Sequence, residues 1–224
     1  MMKERLERLY QGLEEKEKEY GRKIHLVAVT KHYDLDRIDQ SIEYGVKAIG
    51  ENRAQEFLEK ADHLKDRVEL HFIGHLQRNK VRQIVPYVDL IHSVDSIRLL
   101  KEIQKQAESL DKIQELLIQV NIAKEEQKYG FMVDEVEEAM VEASKLPNIR
   151  VKGLMMMAPF ADNPEDVRLF FRETSELFDL YKEKHYNNVD MEFLSMGMSG
   201  DYEVAIEEGS NMVRIGSYIY KEEE

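Results

Sequence analysis

Neither cysteine nor tryptophan occurs among the 224 residues. Without cysteine there are no disulfides, no thiolate metal ligands and no cysteine nucleophile. Proline is scarce, at 4, and the 11 glycines do not cluster. No linker or low-complexity segment therefore divides the chain, and one domain over residues 1–224 is expected, with 1–22 as an N-terminal helix packed on it. No apolar run approaches the roughly 20 residues of a membrane span. The opening segment, residues 1–23, carries too much charge for a signal peptide, so a cytoplasmic protein is expected. Basic residues are the minority, 32 Lys and Arg against 45 Asp and Glu, for a net charge of −13. That balance disfavours non-specific nucleic-acid binding, which needs a basic footprint, and disfavours an anionic membrane surface. A local basic pocket is still compatible with it.

What the chain does contain is a globular composition, 42% hydrophobic and 34% charged, in an order that alternates. Short β-branched runs predict strands over 24–30, 46–50, 67–74, 88–94, 112–121, 149–157, 189–195 and 211–217. Amphipathic stretches between them predict helices. One is capped by Asp34 or Asp36, another by Asp95 or Ser96, and one has Pro164 in its first turn. A charged helix over about 2–20, with Leu6, Leu9, Tyr10 and Leu13 as its apolar stripe, precedes the series. Alternation of this kind implies a parallel sheet covered by helices. Eight units is the count of a (β/α)8 TIM barrel, compact against the usual length of about 250 residues. An open doubly wound sheet is the second reading. The lack of G-x-G-x-x-G after the first strand weakens its dinucleotide-binding form.

In a barrel, functional groups sit at the C-terminal ends of the strands, and these ends are rich in polar residues. Lys31 directly follows the first strand. Partial desolvation there would lower its pKa and free the amine for Schiff-base chemistry, although a rim lysine that simply snorkels to water has the same pattern. Ser195-x-Gly197-x-Ser199 and Gly216-Ser217 place small residues and hydroxyls at the seventh and eighth strand ends. Phosphate sites of such barrels lie there, near a helix N-terminus, though turns are also rich in glycine and serine. Arg214 shares a strand face with Gly216. It fits either an acceptor in the mouth or a barrel carboxylate. His71, His75 and His92 lack metal-ligand spacing, and no H-E-x-x-H occurs, so no metal is expected. The methionines at 155–157, 196 and 198 suit core packing or an apolar wall. The terminal KEEE (221–224) reads as a solvated tail.

These strand-end motifs together resemble the pyridoxal 5′-phosphate (PLP) homeostasis protein family, whose barrel is similar to the N-terminal domain of alanine racemase. The motifs are AVTK (28–31), GENRAQE (50–56), HFIGHLQRNK (71–80), NIAKEEQKYGF (121–131), GLMMMAP (153–159) and the long run 194–220, in family order over nearly the whole chain. The resemblance implies a monomeric, cytoplasmic TIM barrel that carries PLP as a Schiff base on Lys31. It implies that Arg214 faces the pyridine nitrogen, that Ser195, Ser199, Gly216 and Ser217 hold the phosphate, and that Asn52, His75 and Met155 line the wall near the ring. Two positions depart from the family pattern. Thr30-Lys31-His32-Tyr33 stands where serine commonly precedes the lysine and threonine-lysine-proline follows it, and Lys221 stands where a glycine usually follows the last aromatic. The implied function is PLP buffering or delivery, with apo PLP-dependent enzymes as recipients and no turnover. Related racemases use a second base, a tyrosine from another domain of the partner subunit, and proton transfer on both faces needs two positioned groups. The alternatives are a racemase-like enzyme with a rim base such as Tyr33 or His75, and a barrel that acts through Lys31 on another phosphate ester.

Overall fold

The β-branched runs form strands buried along most of their length. In the computed structural model, which describes residues 1–125 and 127–221, they are β1 (His25–Val29), β2 (Ala48–Glu51), β3 (Glu69–Phe72), β4 (Leu90–Val94), β5 (Gln114–Val120), β6 (Ile149–Met156), β7 (Val189–Met198) and β8 (Met212–Ile215). Every strand pairs in parallel with its sequence neighbours. β8 returns to β1 through the register Val27↔Arg214 and Ala28↔Ile215, so the sheet closes in the order β1 to β8. The barrel reading holds, and the open sheet is excluded.

The helices among the described residues are α1 (Met2–Tyr20), α2 (Leu35–Glu43), α3 (Ala54–Leu64), α4 (Arg78–Ile84), α5 (Ile97–Ser109), α6 (Val136–Ala143), α7 (Arg168–Lys182), α8 (Tyr202–Glu207) and α9 (Ser217–Tyr220). Asp34 caps α2 by accepting from Arg37 N at 2.9 Å, and Ser96 caps α5 by accepting from Leu99 N at 3.3 Å, which settles both capping alternatives. The helix expected over 133–146 is shorter. It opens as a 3-10 turn (Val133–Glu135), and its α-helical part stops at Ala143. Ser144 bonds back to the Val141 carbonyl at 2.8 Å, and Pro147 disfavours helical backbone before it. β7 runs three residues beyond its expected end at 195, and α9 is an element the hydrophobic pattern is too short to reveal. Residues 222–224 of the expected tail lie outside the described residues.

Strand alternation divides the apolar residues into two cores. Val27, Ala48, Leu90, Leu117, Met155 and Met212, with Phe193 against them, fill the barrel interior. The larger cluster lies between strands and helices and includes the face Met2, Leu6, Leu9 and Leu13 of α1. One step along the inward faces, toward the strand C-termini, the interior turns polar: His92 follows Leu90, Gln119 follows Leu117, Ser195 follows Phe193 and Arg214 follows Met212, all of them buried. At the opposite end a cavity of about 750 Å³ opens among the strand N-termini, lined in part by His25, Glu69, Glu115 and Phe193.

Candidate functional site

At the end of β1 the chain turns sharply, and buried polar groups hold it. Thr30 is fully buried. Its Oγ1 donates to Glu51 Oε1 at 2.5 Å, and its carbonyl accepts from Lys60 Nζ at 2.9 Å and from Tyr33 N at 3.2 Å. Lys60 also donates to Glu51 Oε1 at 2.6 Å. Burial pushes the Glu51 carboxyl up, against the pull of Lys60 and Thr30. His32 has the left-handed φ of 67°, uncommon for a residue with a Cβ, and its N–H donates to Glu56 Oε2 at 2.9 Å. Lys31 lies in this pinned turn with its side chain exposed. Protein groups therefore do not supply the desolvation expected of a strand-end lysine.

The ends of β7 and β8 build a second feature. Gly197 has φ +95°, and a Cβ there would lie 2.7 Å from Ala205 Cβ and 2.9 Å from Tyr202 Cα. Only glycine lets α8 press on the strand end this closely. The Ser199 hydroxyl then reaches across to β8 and accepts from Gly216 N at 3.3 Å and Tyr218 N at 3.4 Å. A Cβ on Gly216 would sit 3.0 Å from the Val29 carbonyl. Ser217 is exposed at the first position of α9. Below this cradle Arg214 is buried, with Nη1 donating to Ser195 Oγ at 2.6 Å and Nη2 to the Met156 carbonyl at 2.8 Å. Desolvation lowers its guanidinium to about 10, opposed by the nearby Asp201 carboxylate, so it stays charged at neutral pH.

The remaining expected residues separate into near and far. Asn52, at the end of β2, is half-buried, and its Oδ1 is buried with no hydrogen-bond partner. Its carbonyl occupies the space where a Cβ on Gly74 would stand, 2.0 Å away, which makes glycine obligatory at 74. Met155 belongs to the apolar layer inside the barrel, beneath the mouth. Met157, two residues on along the same strand face, is the one exposed, at 43%. His75 is turned to the other side of the rim, where Nδ1 meets Asp95 Oδ2 at 2.9 Å and the ring stacks on Tyr129 at 3.6 Å. Ser195 is fully buried, and its hydroxyl is engaged below Arg214. Tyr33 is stacked on Tyr220 at 4.8 Å. Among the described residues no cluster of His, Asp or Glu is placed to hold a metal.

Three further groups shape the site. Lys60 lies on the buried stripe of α3 with Phe57, Ala61 and Leu64, and a lysine at such a position signals a buried partner. Glu51, at the end of β2, faces α3 through Lys60. Asp201 is the N-cap residue of α8, and its Oδ1 accepts from Met198 N at 2.6 Å.

Residues 5–224 match the family model described as alanine racemase, N-terminal domain. The pyridoxal phosphate homeostasis protein of Aquifex aeolicus (strain VF5) is 42% identical over 198 residues, which cover 88% of this chain and 86% of that one. The chain belongs to the pyridoxal phosphate homeostasis protein family. Among solved structures, PipY of Synechococcus elongatus PCC7942 with PLP bound superposes with a TM-score of 0.86 at 28% identity, over 98% of this chain and all of that one. The alanine racemase of Clostridium difficile 630 superposes with a TM-score of 0.68 at 18% identity, and this chain covers 53% of it. That likeness concerns the barrel alone. Within the homeostasis family frame, the polar strand ends of β1, β2, β7 and β8 are the candidate site, and the cavity at the opposite mouth lies away from it.

Proposed function

We propose that this protein binds PLP at the C-terminal mouth of the barrel through Lys31 and acts as a cytoplasmic monomer in PLP homeostasis. It would buffer the cofactor or deliver it to apo enzymes, without turnover. The observation that carries this reading is the juxtaposition set by barrel closure. β1 and β8 are neighbours, so Lys31, the Gly216 cradle and the Arg214 guanidinium share one side of the mouth.

The residues present fit the cofactor. The Ser199 hydroxyl accepts only two long hydrogen bonds, so its own proton is available to a phosphate oxygen. Gly216 carries no Cβ, so β8 packs closely on Val29 of β1, and Ser217 adds an exposed hydroxyl beside it. The orphaned Asn52 Oδ1 is a buried acceptor without a donor, the state a polar ligand relieves. Arg214 presents donors only and does not readily release a proton, so it suits the unprotonated pyridine nitrogen. The exposed Lys31 amine would hold the aldehyde end of the cofactor, and the bound group would supply carbonyl chemistry at that amine. Ser195, His75 and Met155 drop out of direct contact in this reading. Ser195 serves Arg214, Met155 forms the floor, and His75 belongs to the far rim.

Of the two rim groups that could supply a second base, Tyr33 stacks its ring on Tyr220 and His75 pairs with Asp95, and the carrier reading places neither opposite the Lys31 amine, where racemisation needs a positioned group on each face. Among the described residues no helix is long and apolar enough to cross a membrane.

The test is an absorption spectrum of the purified protein before and after borohydride, followed by peptide mapping. A visible band that borohydride removes, with a pyridoxyl adduct on Lys31, is the expected result. A protein that stays colourless with added PLP and yields no adduct would end the cofactor assignment. Steady conversion of an amino acid, lost in Lys31→Ala, would replace the carrier reading by a racemase-like enzyme.

A further inference from the structure

A line of polar side chains crosses the barrel interior, and the proposed function reaches only its first two members. Arg214 Nη1 (β8) meets Ser195 Oγ (β7) at 2.6 Å, Ser195 Oγ meets His92 Nδ1 (β4) at 2.9 Å, and His92 Nε2 meets His71 Nδ1 (β3) at 3.0 Å. His71 Nε2 lies 3.4 Å from Glu69 Oε2, which opens into the cavity at the opposite mouth. Ser195 and His92 are 0% exposed, and His71 and Arg214 are 3% exposed. Apolar side chains would fill this volume with no polar groups to satisfy, so a complete hydrogen-bonded chain here calls for a reason.

The proton positions follow from what each group can do. A guanidinium only donates. Ser195 Oγ therefore accepts from Arg214 and directs its own O–H at His92 Nδ1. The nitrogen that accepts carries no proton, so the proton of His92 is on Nε2 and is donated to His71 Nδ1. His71 then carries its proton on Nε2, toward the Glu69 carboxylate. In the reverse order, or with a doubly protonated His92, Ser195 Oγ would accept from both Arg214 and His92 Nδ1, and its own buried proton would have no acceptor among the described residues. The groups facing His92 are His71 from β3, Ser195 from β7 and Arg214 from β8. Burial, with His71 and Arg214 beside it, holds the imidazole well below its ordinary value of 6.5.

We infer that Ser195 and His92 are positioning residues for Arg214, members of a one-way hydrogen-bonded chain in which every proton points away from the cofactor mouth. The chain fixes the guanidinium from below. With His92 Nδ1 accepting, Arg214 is the only member of the chain that presents donors to the site. This rests on the cofactor reading only for what Arg214 meets, since the direction of the chain is a property of the protein itself.

Long-range proton–nitrogen correlation spectra of the 15N-labelled full chain read the tautomers directly. His92 is expected to show a bare Nδ1 and a protonated Nε2, unchanged from pH 6 to pH 8. PLP titrations then compare His92→Asn, whose Oδ1 can take the acceptor place of Nδ1, with His92→Phe, which has no acceptor. His92→Phe is expected to lose affinity by about tenfold or more, the scale of one hydrogen bond to a charged group, and to shift the visible band. His92→Asn is expected to stay within about threefold of the wild type, since it keeps the acceptor for Ser195. A proton on Nδ1 of His92, or a His92→Phe protein that binds PLP with wild-type affinity and band, overturns the inference. If the wild type takes up no PLP, the cofactor reading falls, while the tautomer spectra still decide the direction of the chain.

Discussion

Lys60→Met isolates the worth of the buried pair behind Lys31. Methionine keeps most of the stem of the side chain, so little packing is lost. What goes is the cation 2.6 Å from Glu51 Oε1 and one of the two donors to the Thr30 carbonyl, which keeps Tyr33 N. Among the described residues Glu51 makes no other ion pair. Its second oxygen is already buried without a partner. Removing one member of a buried pair typically costs about 3–5 kcal/mol.

Here the cost has a ceiling, because the stranded carboxylate can take up a proton. Neutralising a carboxyl of ordinary value 4.5 at pH 7 costs about 1.36 kcal/mol for each of 2.5 pH units, or about 3.4 kcal/mol. At pH 5 the same step costs only about 0.7 kcal/mol. The folded-state pKa of Glu51 is raised, so its stability contribution is full below 4.5 and is lost as pH rises through the folded value. Without Lys60 that value rises further, and the loss extends across neutral pH. At roughly 2–4 °C per kcal/mol for a chain of this size, Lys60→Met is expected to lower Tm by about 7–14 °C at pH 7 and by only about 1–3 °C at pH 5. Paired calorimetric melts against the wild type at both pH values measure this. Glu51→Gln added to Lys60→Met should remove the difference between the two pH values. An equal Tm loss at pH 5 and pH 7 would refute the reasoning, since it would mean that packing and not charge was lost.

Three further outcomes follow from individual residues. Lys31→Ala should abolish the borohydride-trapped adduct yet leave Tm within about 2 °C of wild type, because the side chain is exposed and such substitutions usually stay within about 0.5 kcal/mol; chemical and thermal assays on one preparation check both halves. Gly153→Ala should give insoluble or unfolded protein in an expression and circular-dichroism comparison, since its Cβ would lie 1.8 Å from the Phe193 carbonyl at φ +146° and the obstacle is backbone. Because burial depresses the folded pKa of His92 below 6.5, its stabilising contribution is present above 6.5 and lost as pH falls below it. Unfolding free energy should therefore drop by up to about 1.4 kcal/mol per pH unit below that point, with His25 acting in the same direction, and His92→Asn should flatten the slope in urea titrations run from pH 7 down to pH 5.

The barrel was legible because its signals are local and repeated. The strand runs are bounded by polar turns, and stretches such as 116–118 of β5 and 154–156 of β6 are continuously apolar and buried, as burial on both faces requires. The strand ends then named Lys31, Ser199 and Gly216 by position alone. What position could not give is which side of the sheet a polar side chain faces once the register shifts. Irregular pairing between Ser195 and Met198 of β7 and its neighbour β8 places Ser195 deep under Arg214 and Ser199 in the cradle, although both are serines of one motif. Met155 and Met157 also differ two residues apart, one inside the barrel and the other exposed just beyond the end of β6. The placement of His75 is illegible for another reason. It follows its strand by three residues, and the loop geometry that turns it to Asp95 and Tyr129 has no periodicity to read.

The two buried polar clusters make physical sense as a pair. A mouth open enough to admit a cofactor cannot be rigid through its own rim, and Lys31 has an exposed side chain to hold in place. Rigidity must then come from behind the strand ends. Lys60, Glu51 and Thr30 supply it on the helix side of β1, and Ser195 and His92 supply it on the inner side of β8. Each cluster costs desolvation that an apolar replacement would avoid. Each nevertheless ends on a group at the mouth, the Thr30 carbonyl in one case and the Arg214 guanidinium in the other. A chain selected for stability alone would have little use for either, so substitutions that keep the fold but sever these links should reduce cofactor affinity more than they reduce Tm.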